Sequence, residues 1–363
     1  MSSDAIEARV IGRAGRIHLN RPKALNALDH AMALALEAAL DAFAADPAVG
    51  LVVITAEGER AFCAGGDVAA LWHAGRAGDV ATSQAFWRDE YRMNAKIAEF
   101  PKPIVAFMQG FVMGGGVGIG GHAGLRIVGT TTQVAMPETG IGLVPDVGGS
   151  WLLSRAPGRL GEYYGLTGAR MSGAEAILAG FADRLIPEAD WPALIARLEA
   201  TGEIAGLPDP EAGPAPDAGP EPVDAPAIAA HRAVIDRIFA LPDLPAILAA
   251  LAAEPGDFAA ATLATLSRQS PLSMATTLAL VRQVRGTDIR TALDAEFRVT
   301  SRAVADSDFL EGVRAQLIDK DRKPRWRHPG ASAVGTAEVA ALLAPLTVAP
   351  IDFGAPAPAA GGR

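Results

Sequence analysis

Roughly the first 200 residues alternate short β-branched runs with longer segments whose apolar residues recur every three to four positions. Such alternation of strand and helix patterns is typical of an α/β fold, so we expect residues 1–206 to form an α/β core. The predicted strands are Ala8 to Ile11, Arg16 to Leu19, Leu51 to Thr55, Ile104 to Met108 and Leu125 to Gly129. The predicted helices include His30 to Asp46 and Ser83 to Glu99.

The composition changes after this core. Residues 207–227 consist largely of Pro, Ala, Gly, Asp and Glu without apolar periodicity, which predicts an exposed, semi-rigid linker. Residues 228–329 return to helical spacing, as in Ile235, Ile238 and Phe239, and predict a mainly helical C-terminal region. Residues 330–363 form an Ala-, Pro- and Gly-rich tail, which we expect to fray in part.

Charge and cysteine content exclude several classes of function. The net charge of −9 and the scattered basic residues offer no positive track for a nucleic-acid backbone, so no nucleic-acid partner is expected. Cys63 is the only cysteine, which excludes an internal disulfide and a cysteine-rich metal site. Residues Met1 to Glu7 fit neither a secretory signal nor a transit peptide, and every apolar stretch is shorter than the roughly 20 residues that span a bilayer. We expect a cytoplasmic protein without a membrane segment.

Two glycine-rich turns give the first indication of chemistry. Gly65 and Gly66 are adjacent in the segment Ala61 to Asp67, and Gly114 to Gly116 lie between a predicted strand and a helical pattern. Glycines let the backbone approach a ligand, and the free N–H groups of a helix start attract negative charge. Tight packing of strand on helix explains either cluster alone. Together they predict two donors for one oxyanion, as in acyl transfer or enolate formation.

Two carboxylates stand in the otherwise apolar segment Val134 to Gly149. Glu138 and Asp146 each follow a proline directly. Apolar surroundings raise the pKa of a carboxyl group, which suits general acid or base catalysis. A helix cap or a solvated turn is the alternative role for an isolated acid. We predict Glu138 and Asp146 as catalytic residues.

The run Gly116 to Gly121 also matches the G-x-G-x-x-G pattern of dinucleotide-binding folds, and Glu138 follows about 20 residues later. A chance match is easy in this part of the chain, because six of the eight residues from Gly114 to Gly121 are glycine. The chain also lacks the N-terminal βαβ unit that usually carries the motif. A nucleotide cofactor is therefore the less favoured interpretation.

These segments, with Asn20 to Leu28, resemble the enoyl-CoA hydratase/isomerase (crotonase) superfamily in order and approximate spacing. The resemblance implies a crotonase-like spiral of ββα units and an acyl-CoA substrate. Members commonly assemble as trimers or dimers of trimers, which suggests a homo-oligomer, but the extra helical region could block that arrangement, so the oligomeric state stays open. The resemblance places the oxyanion hole on the N–H groups of Gly66 and Gly115. The turns that line the CoA cleft would supply the substrate-binding residues Ala24, Ala64 and Asp67.

Within the superfamily the chain most resembles the 3-hydroxyisobutyryl-CoA hydrolase family. Hydratases place two glutamates around the double bond; Gly118 stands at the position of the first, and Glu138 matches the second. Asp146 stands where the hydrolases carry an aspartate. Glu90 matches an acid of the same family and would bind the substrate's 3-hydroxyl, with a solvated helix face as the alternative.

The resemblance extends into the C-terminal region. Ser270 to Ser273 and Asp308 to Trp326 look like the hydrolase C-terminus and would shape the cleft rather than react. The implied reaction is hydrolysis of a 3-hydroxyacyl-CoA thioester, with Glu138 as nucleophile or general base. No metal or other cofactor is required, since coenzyme A is part of the substrate. An enoyl-CoA hydratase or isomerase and a non-catalytic acyl-CoA-binding protein are the alternatives.

Overall fold

The computed structural model describes residues 5–205, 226–347 and 349–354. Apart from residues 226 and 227, the predicted linker at 207–227 lies outside the described residues. The predicted region boundaries therefore stay predictions.

Two sheets form the centre of residues 5–205. The strands are β1 (Ile6–Ile11), β2 (Ala14–Leu19), β3 (Leu51–Ala56), β4 (Ala61–Cys63), β5 (Ile104–Met108), β6 (Phe111–Met113), β7 (Leu125–Val128), β8 (Gln133–Ala135), β9 (Met171–Ser172) and β10 (Arg184–Leu185). The larger sheet has the order β1-β2-β3-β5-β7-β10, and the smaller one has the order β4-β6-β8-β9. The pairs β1·β2 and β8·β9 are antiparallel, and the other neighbours are parallel.

Helices surround the sheets and make up the C-terminal region. In the described part of the chain they are α1 (His30–Ala45), α2 (Val68–Arg76), α3 (Val80–Ala98), α4 (Gly115–Gly120), α5 (Gly149–Arg155), α6 (Leu160–Thr167), α7 (Gly173–Leu178), α8 (Trp191–Thr201), α9 (Arg232–Ile238), α10 (Leu244–Ala253), α11 (Asp257–Leu266), α12 (Pro271–Gln283), α13 (Ile289–Thr300), α14 (Ala303–Asp306), α15 (Phe309–Val313) and α16 (Thr336–Leu343). Among the helices described, none combines the length and the apolar character needed to cross a membrane.

Small corrections to the predicted bounds have local causes. β1 and β2 each begin two residues before the predicted start, because they pair over their whole length, from Ile6 with Leu19 to Ile11 with Ala14. α3 begins at Val80 rather than Ser83, since the Asp79 side chain accepts a hydrogen bond from Thr82 N and so caps the helix one turn earlier. α1 and β7 each end one residue earlier than predicted.

The chain crosses from the larger to the smaller sheet three times in succession. β3 is followed by β4, β5 by β6 and β7 by β8, and each pair is followed by helical structure. This is the predicted spiral of ββα units. The sequence did not predict β4, β6 or β8, because three residues are too few to establish a period. These short strands are parallel neighbours, so their carboxyl ends meet at one edge of the smaller sheet.

The C-terminal helices share a core with the sheets. One contiguous apolar cluster contains Phe62 and Tyr91 from the first region, and Phe297 and Phe309 from the second. α13 packs against α3 and α5, and α12 packs against α5 and α6. In the tail, α16 packs against α12 and α13 with Leu342 buried. The helical region therefore packs against α3 and α5, which adjoin the segments that carry the predicted site residues.

Candidate active site

Three chain segments leave the smaller sheet at the same edge and bring the predicted site residues together. The segment after β4 carries Gly66, the one after β6 carries Gly115, and the one after β8 carries Glu138. A Cβ atom placed on Gly115 would lie 3.1 Å from Gly66 N and 2.9 Å from Glu90 Oε1. A Cβ placed on Gly114 would lie 2.7 Å from Glu138 Oε1. The two turns and two of the acids thus surround one small volume.

The backbone at the two turns requires glycine. Gly65 has a φ of +119° and Gly114 a φ of +47°, both in the region that side chains disfavour. Gly114 caps α4, so the N–H of Gly115 is the first of the helix and has no acceptor within it. Since a Cβ on Gly115 would lie only 3.1 Å from Gly66 N, the two turns bring these residues together, as the predicted oxyanion hole requires.

Three acids predicted from the sequence are buried at this site. Glu90, Glu138 and Asp146 are 2%, 5% and 5% exposed. Burial raises the pKa of Glu138 well above its ordinary value, and the charges of Asp146, Glu296 and Glu90 raise it further. Burial likewise raises the pKa of Glu90, helped by Asp146 and Glu296. The alternative of a solvated helix face for Glu90 is wrong, because α3 turns this side chain inward.

Asp146 is held by neighbours that the sequence did not identify. The Tyr91 hydroxyl donates to Asp146 Oδ2 at 2.7 Å, and Thr300 Oγ1 lies 3.3 Å from the same hydroxyl. Burial raises the pKa of Asp146 to about 6, although the Tyr91 hydrogen bond opposes this rise. Asp146 is thus oriented by a residue of α3 and, through it, by a residue of α13.

Glu296 is a fourth buried acid, and sequence reasoning missed it. Its carboxyl group accepts hydrogen bonds from Gly148 N at 2.7 Å, Ser150 N at 3.0 Å and Ser150 Oγ at 2.5 Å. Burial raises its pKa to about 8, against the lowering effect of the Ser150 and Gly148 hydrogen bonds. A signal was present, because Glu296 interrupts the apolar face that Leu293 and Val299 define on α13.

The turns predicted to line the CoA cleft also lie together. Ala64 N donates to Leu25 O at 3.0 Å, which joins the turn of Ala24 to that of Ala64. The Arg21 guanidinium donates to Asp67 Oδ2 at 2.9 Å across the same two turns. Ala24, Ala64 and Asp67 thus lie on two turns that are joined to each other, and their contact with substrate stays a prediction.

The expectation that the chain lacks an N-terminal βαβ unit is wrong, because β2 and β3 are parallel neighbours joined by α1. The glycine run that resembles a dinucleotide motif lies outside that unit and is packed inside the protein. Gly116, Gly118 and Gly120 are buried, and a Cβ on Gly116 or Gly120 would collide with Cys63 or Met108. These glycines therefore permit α4 to pack against its neighbours and leave no room for a pyrophosphate. Burial raises the Cys63 pKa to about 12, so this thiol is no nucleophile.

Comparison with known proteins identifies the family of this chain. The family model of the enoyl-CoA hydratase/isomerase family matches residues 14–343. The mitochondrial 3-hydroxyisobutyryl-CoA hydrolase of Xenopus tropicalis is 39% identical over 87% of this chain and 82% of its own length. The 3-hydroxyisobutyryl-CoA hydrolase 1 of Arabidopsis thaliana is 39% identical over 85% of this chain and 83% of its own length.

Two solved structures are similar along nearly the whole chain. A protein described as an enoyl-CoA hydratase from Rhodobacter sphaeroides 2.4.1 is 55% identical, with a TM-score of 0.88 over 94% of this chain and 98% of that chain. A protein described as a carnitinyl-CoA dehydratase from Mycobacterium thermoresistibile is 40% identical, with a TM-score of 0.87 over 95% and 98%. The fold predicted from the sequence is confirmed, and the chain belongs to the enoyl-CoA hydratase/isomerase family, within the group that includes the 3-hydroxyisobutyryl-CoA hydrolases.

Proposed function

We propose that this protein hydrolyses the thioester of a 3-hydroxyacyl-CoA, and that 3-hydroxyisobutyryl-CoA is its substrate in valine breakdown. One observation carries the proposal. Gly115 lies against Gly66 N, and Glu138 Oε1 lies against Gly114, the residue before Gly115. The buried Oε2 of Glu138 has no hydrogen-bond partner among the described residues. The names of the curated relatives support the same substrate.

The oxyanion hole would act on the thioester carbonyl. With its oxygen between Gly66 N and Gly115 N, negative charge that develops on the oxygen meets two fixed donors. Single donors of this kind contribute roughly 3 to 4 kcal/mol to transition-state stabilisation in other enzymes.

Glu138 would promote attack on the carbonyl carbon, either directly or through water. In both routes a water oxygen ends on the acyl group, the C–S bond breaks and the CoA sulfur receives a proton. Asp146, fixed by Tyr91, would orient the water or move the proton. Glu90 would bind the 3-hydroxyl of the substrate.

Hydration of an enoyl-CoA is the second candidate, because the 55%-identical structure is described as a hydratase. The resemblance places the first hydratase glutamate at Gly118. Here a Cβ would lie 2.7 Å from Asn94 Nδ2 and 2.8 Å from Val147 Cβ, so a larger side chain cannot enter without rearrangement. The geometry therefore favours hydrolysis.

Replacement of Glu138 with Gln tests the proposal. We expect release of free thiol from 3-hydroxyisobutyryl-CoA to fall by about 10²- to 10⁴-fold, because the amide can neither attack nor accept a proton. Glu338→Gln, the same change on the surface helix α16, is the matched control and should leave the rate unchanged. Near-normal turnover by the Glu138 variant would refute the role of Glu138.

Further parts of the proposal concern setting and requirements. We propose a cytoplasmic location and activity without a metal or redox cofactor. The vertebrate relatives are described as mitochondrial, so location is a point on which this protein would differ from them. A homo-oligomer is likewise proposed only from the resemblance.

A further inference from the structure

Asn94 is a buried polar residue that the proposed mechanism does not use. It lies on α3, four residues after Glu90, and its side chain is fully buried. Neither Oδ1 nor Nδ2 of its amide has a hydrogen-bond partner among the described residues. Because buried amides almost always form hydrogen bonds, this one is expected to meet a polar group in the working enzyme.

Asn94 lies near three residues that adjoin the candidate site. Residues four apart on a helix share a face about 5 to 6 Å apart, so Asn94 and Glu90 are side by side. Asn94 Nδ2 would lie 2.7 Å from a Cβ on Gly118, which is one turn after Gly115 on α4. Val147, which follows Asp146, packs against the same point of Gly118.

Glu90 shows the same lack of a partner. Its Oε1 is buried without a hydrogen bond among the described residues, and it faces Gly115. Two unsatisfied polar side chains thus lie one helical turn apart on α3, beside the oxyanion hole. A carboxylate accepts hydrogen bonds and an amide both donates and accepts, so the pair fits a hydroxyl group.

We propose that Asn94, together with Glu90, binds the 3-hydroxyl of the acyl group and thereby selects hydroxylated substrates; this inference rests on the proposed function. With the carbonyl oxygen at Gly66 and Gly115, the 3-hydroxyl is two carbons beyond the carbonyl, a distance comparable with one helical turn. A substrate without the hydroxyl leaves both side chains buried and unpaired. Sites built to bind a hydroxyl reject its deoxy analogue strongly for this reason.

The test compares 3-hydroxyisobutyryl-CoA with isobutyryl-CoA, which lacks only the hydroxyl, in the wild-type protein and in Asn94→Leu. We expect Asn94→Leu to lower kcat/KM for the hydroxylated thioester by about 10- to 100-fold and to change that for isobutyryl-CoA less than about threefold. Thr277→Val, which replaces another buried and unpartnered polar group by an apolar one of similar shape on α12, should leave the preference intact.

The possible outcomes distinguish a failure of this inference from a failure of the proposed function. An equal loss with both substrates would overturn the inference and indicate a role in water placement or packing. If Asn94→Leu does not fold, Asn94→Ala gives the same comparison with less steric demand. A wild-type protein that releases no thiol from 3-hydroxyisobutyryl-CoA refutes the proposed function and this inference together, whereas wild-type turnover with an unchanged preference in the variants refutes the inference alone.

Discussion

Individual residues at the site differ in how they are held. Asp146 has a fixed partner in the Tyr91 hydroxyl, whereas Glu138 Oε2 has none among the described residues. The negative charge of Asp146 is one cause of the raised pKa of Glu138. In the proposed mechanism Glu138 acts as an ionised carboxylate, so the pH at which it is active depends on the acid beside it.

This coupling predicts how the pH profile changes in Asp146→Asn. A neutral amide at position 146 removes a repelling charge, so the pKa of Glu138 falls. The acid limb of the kcat/KM profile for thioester hydrolysis should move to lower pH, even though the maximal rate also decreases. Asp294→Asn on the surface of α13 is the control and should not move the limb. A limb that stays in place in Asp146→Asn would show that it does not report Glu138.

Some residues could be predicted from the sequence and others could not. Glu138 and Asp146 stand out as lone acids in an apolar segment, and the adjacent glycines identify the two turns. Asn94 and Tyr91 lie in a helix where polar and apolar residues are mixed. The sequence therefore does not show which face of this helix packs against another element. The role of Asn94 and Tyr91 depends on packing against α4 and α13, which no local pattern specifies.

At the scale of elements, α13 connects the C-terminal region to the candidate active site. Thr300 contacts the Tyr91 hydroxyl, and Glu296 accepts three hydrogen bonds from the start of α5, directly after Asp146. Ser270, which caps α12, donates a hydrogen bond from its backbone N to Thr139 O, next to Glu138. α12 and α13 thus contact the two segments that carry Glu138 and Asp146, the predicted catalytic residues.

Replacement of Glu296 with Ala measures this support. The buried donors Gly148 N, Ser150 N and Ser150 Oγ would lose their acceptor, which costs about 1 to 3 kcal/mol for each unsatisfied group. We expect a lower free energy of unfolding in urea and a lower kcat, because Asp146 loses its fixed position. Glu296→Gln should recover part of both, since it keeps one oxygen acceptor. Equal stability of Glu296→Ala and wild type would contradict this function of α13.

Elements were predicted best where they are long. α1, α3 and the strands β1, β2, β3, β5 and β7 of the larger sheet have enough residues to show a period. The strands β4, β6 and β8 have three residues each, and β10 of the larger sheet has two. The convergence of the site depends on β4, β6 and β8, because their parallel order places three segments at one edge. The family resemblance of the sequence therefore predicted which segments form the site. The structure shows why these segments lie together.

For the whole molecule, several buried acids make stability depend on pH. Burial raises the pKa of Glu296 to about 8 in the folded state, from an ordinary value of 4.5, and raises those of Glu90 and Glu138 well above 4.5. Above pH 4.5 the unfolded chain has lost these protons while the folded protein keeps them, so stability falls as pH rises. His122, whose pKa burial lowers to about 4, has the opposite effect, but only below pH 6.5.

The window from pH 6.5 to 8 therefore isolates the acids. We expect the free energy of unfolding to decrease across it, with Glu296 contributing up to about 1.4 kcal/mol per pH unit. Glu296→Gln removes one such group and should flatten the slope. Urea unfolding at several pH values measures both slopes, and a stability that rises with pH in this window would contradict the burial of these acids as carboxyl groups.

The central claim is that this site breaks a thioester rather than hydrating a double bond. The direct measurement follows free thiol release from 3-hydroxyisobutyryl-CoA and, in the same preparation, the enone absorbance of crotonyl-CoA. We expect rapid thiol release and an unchanged enone absorbance. Loss of the enone absorbance without thiol release would contradict the proposed hydrolysis and identify the protein as a hydratase.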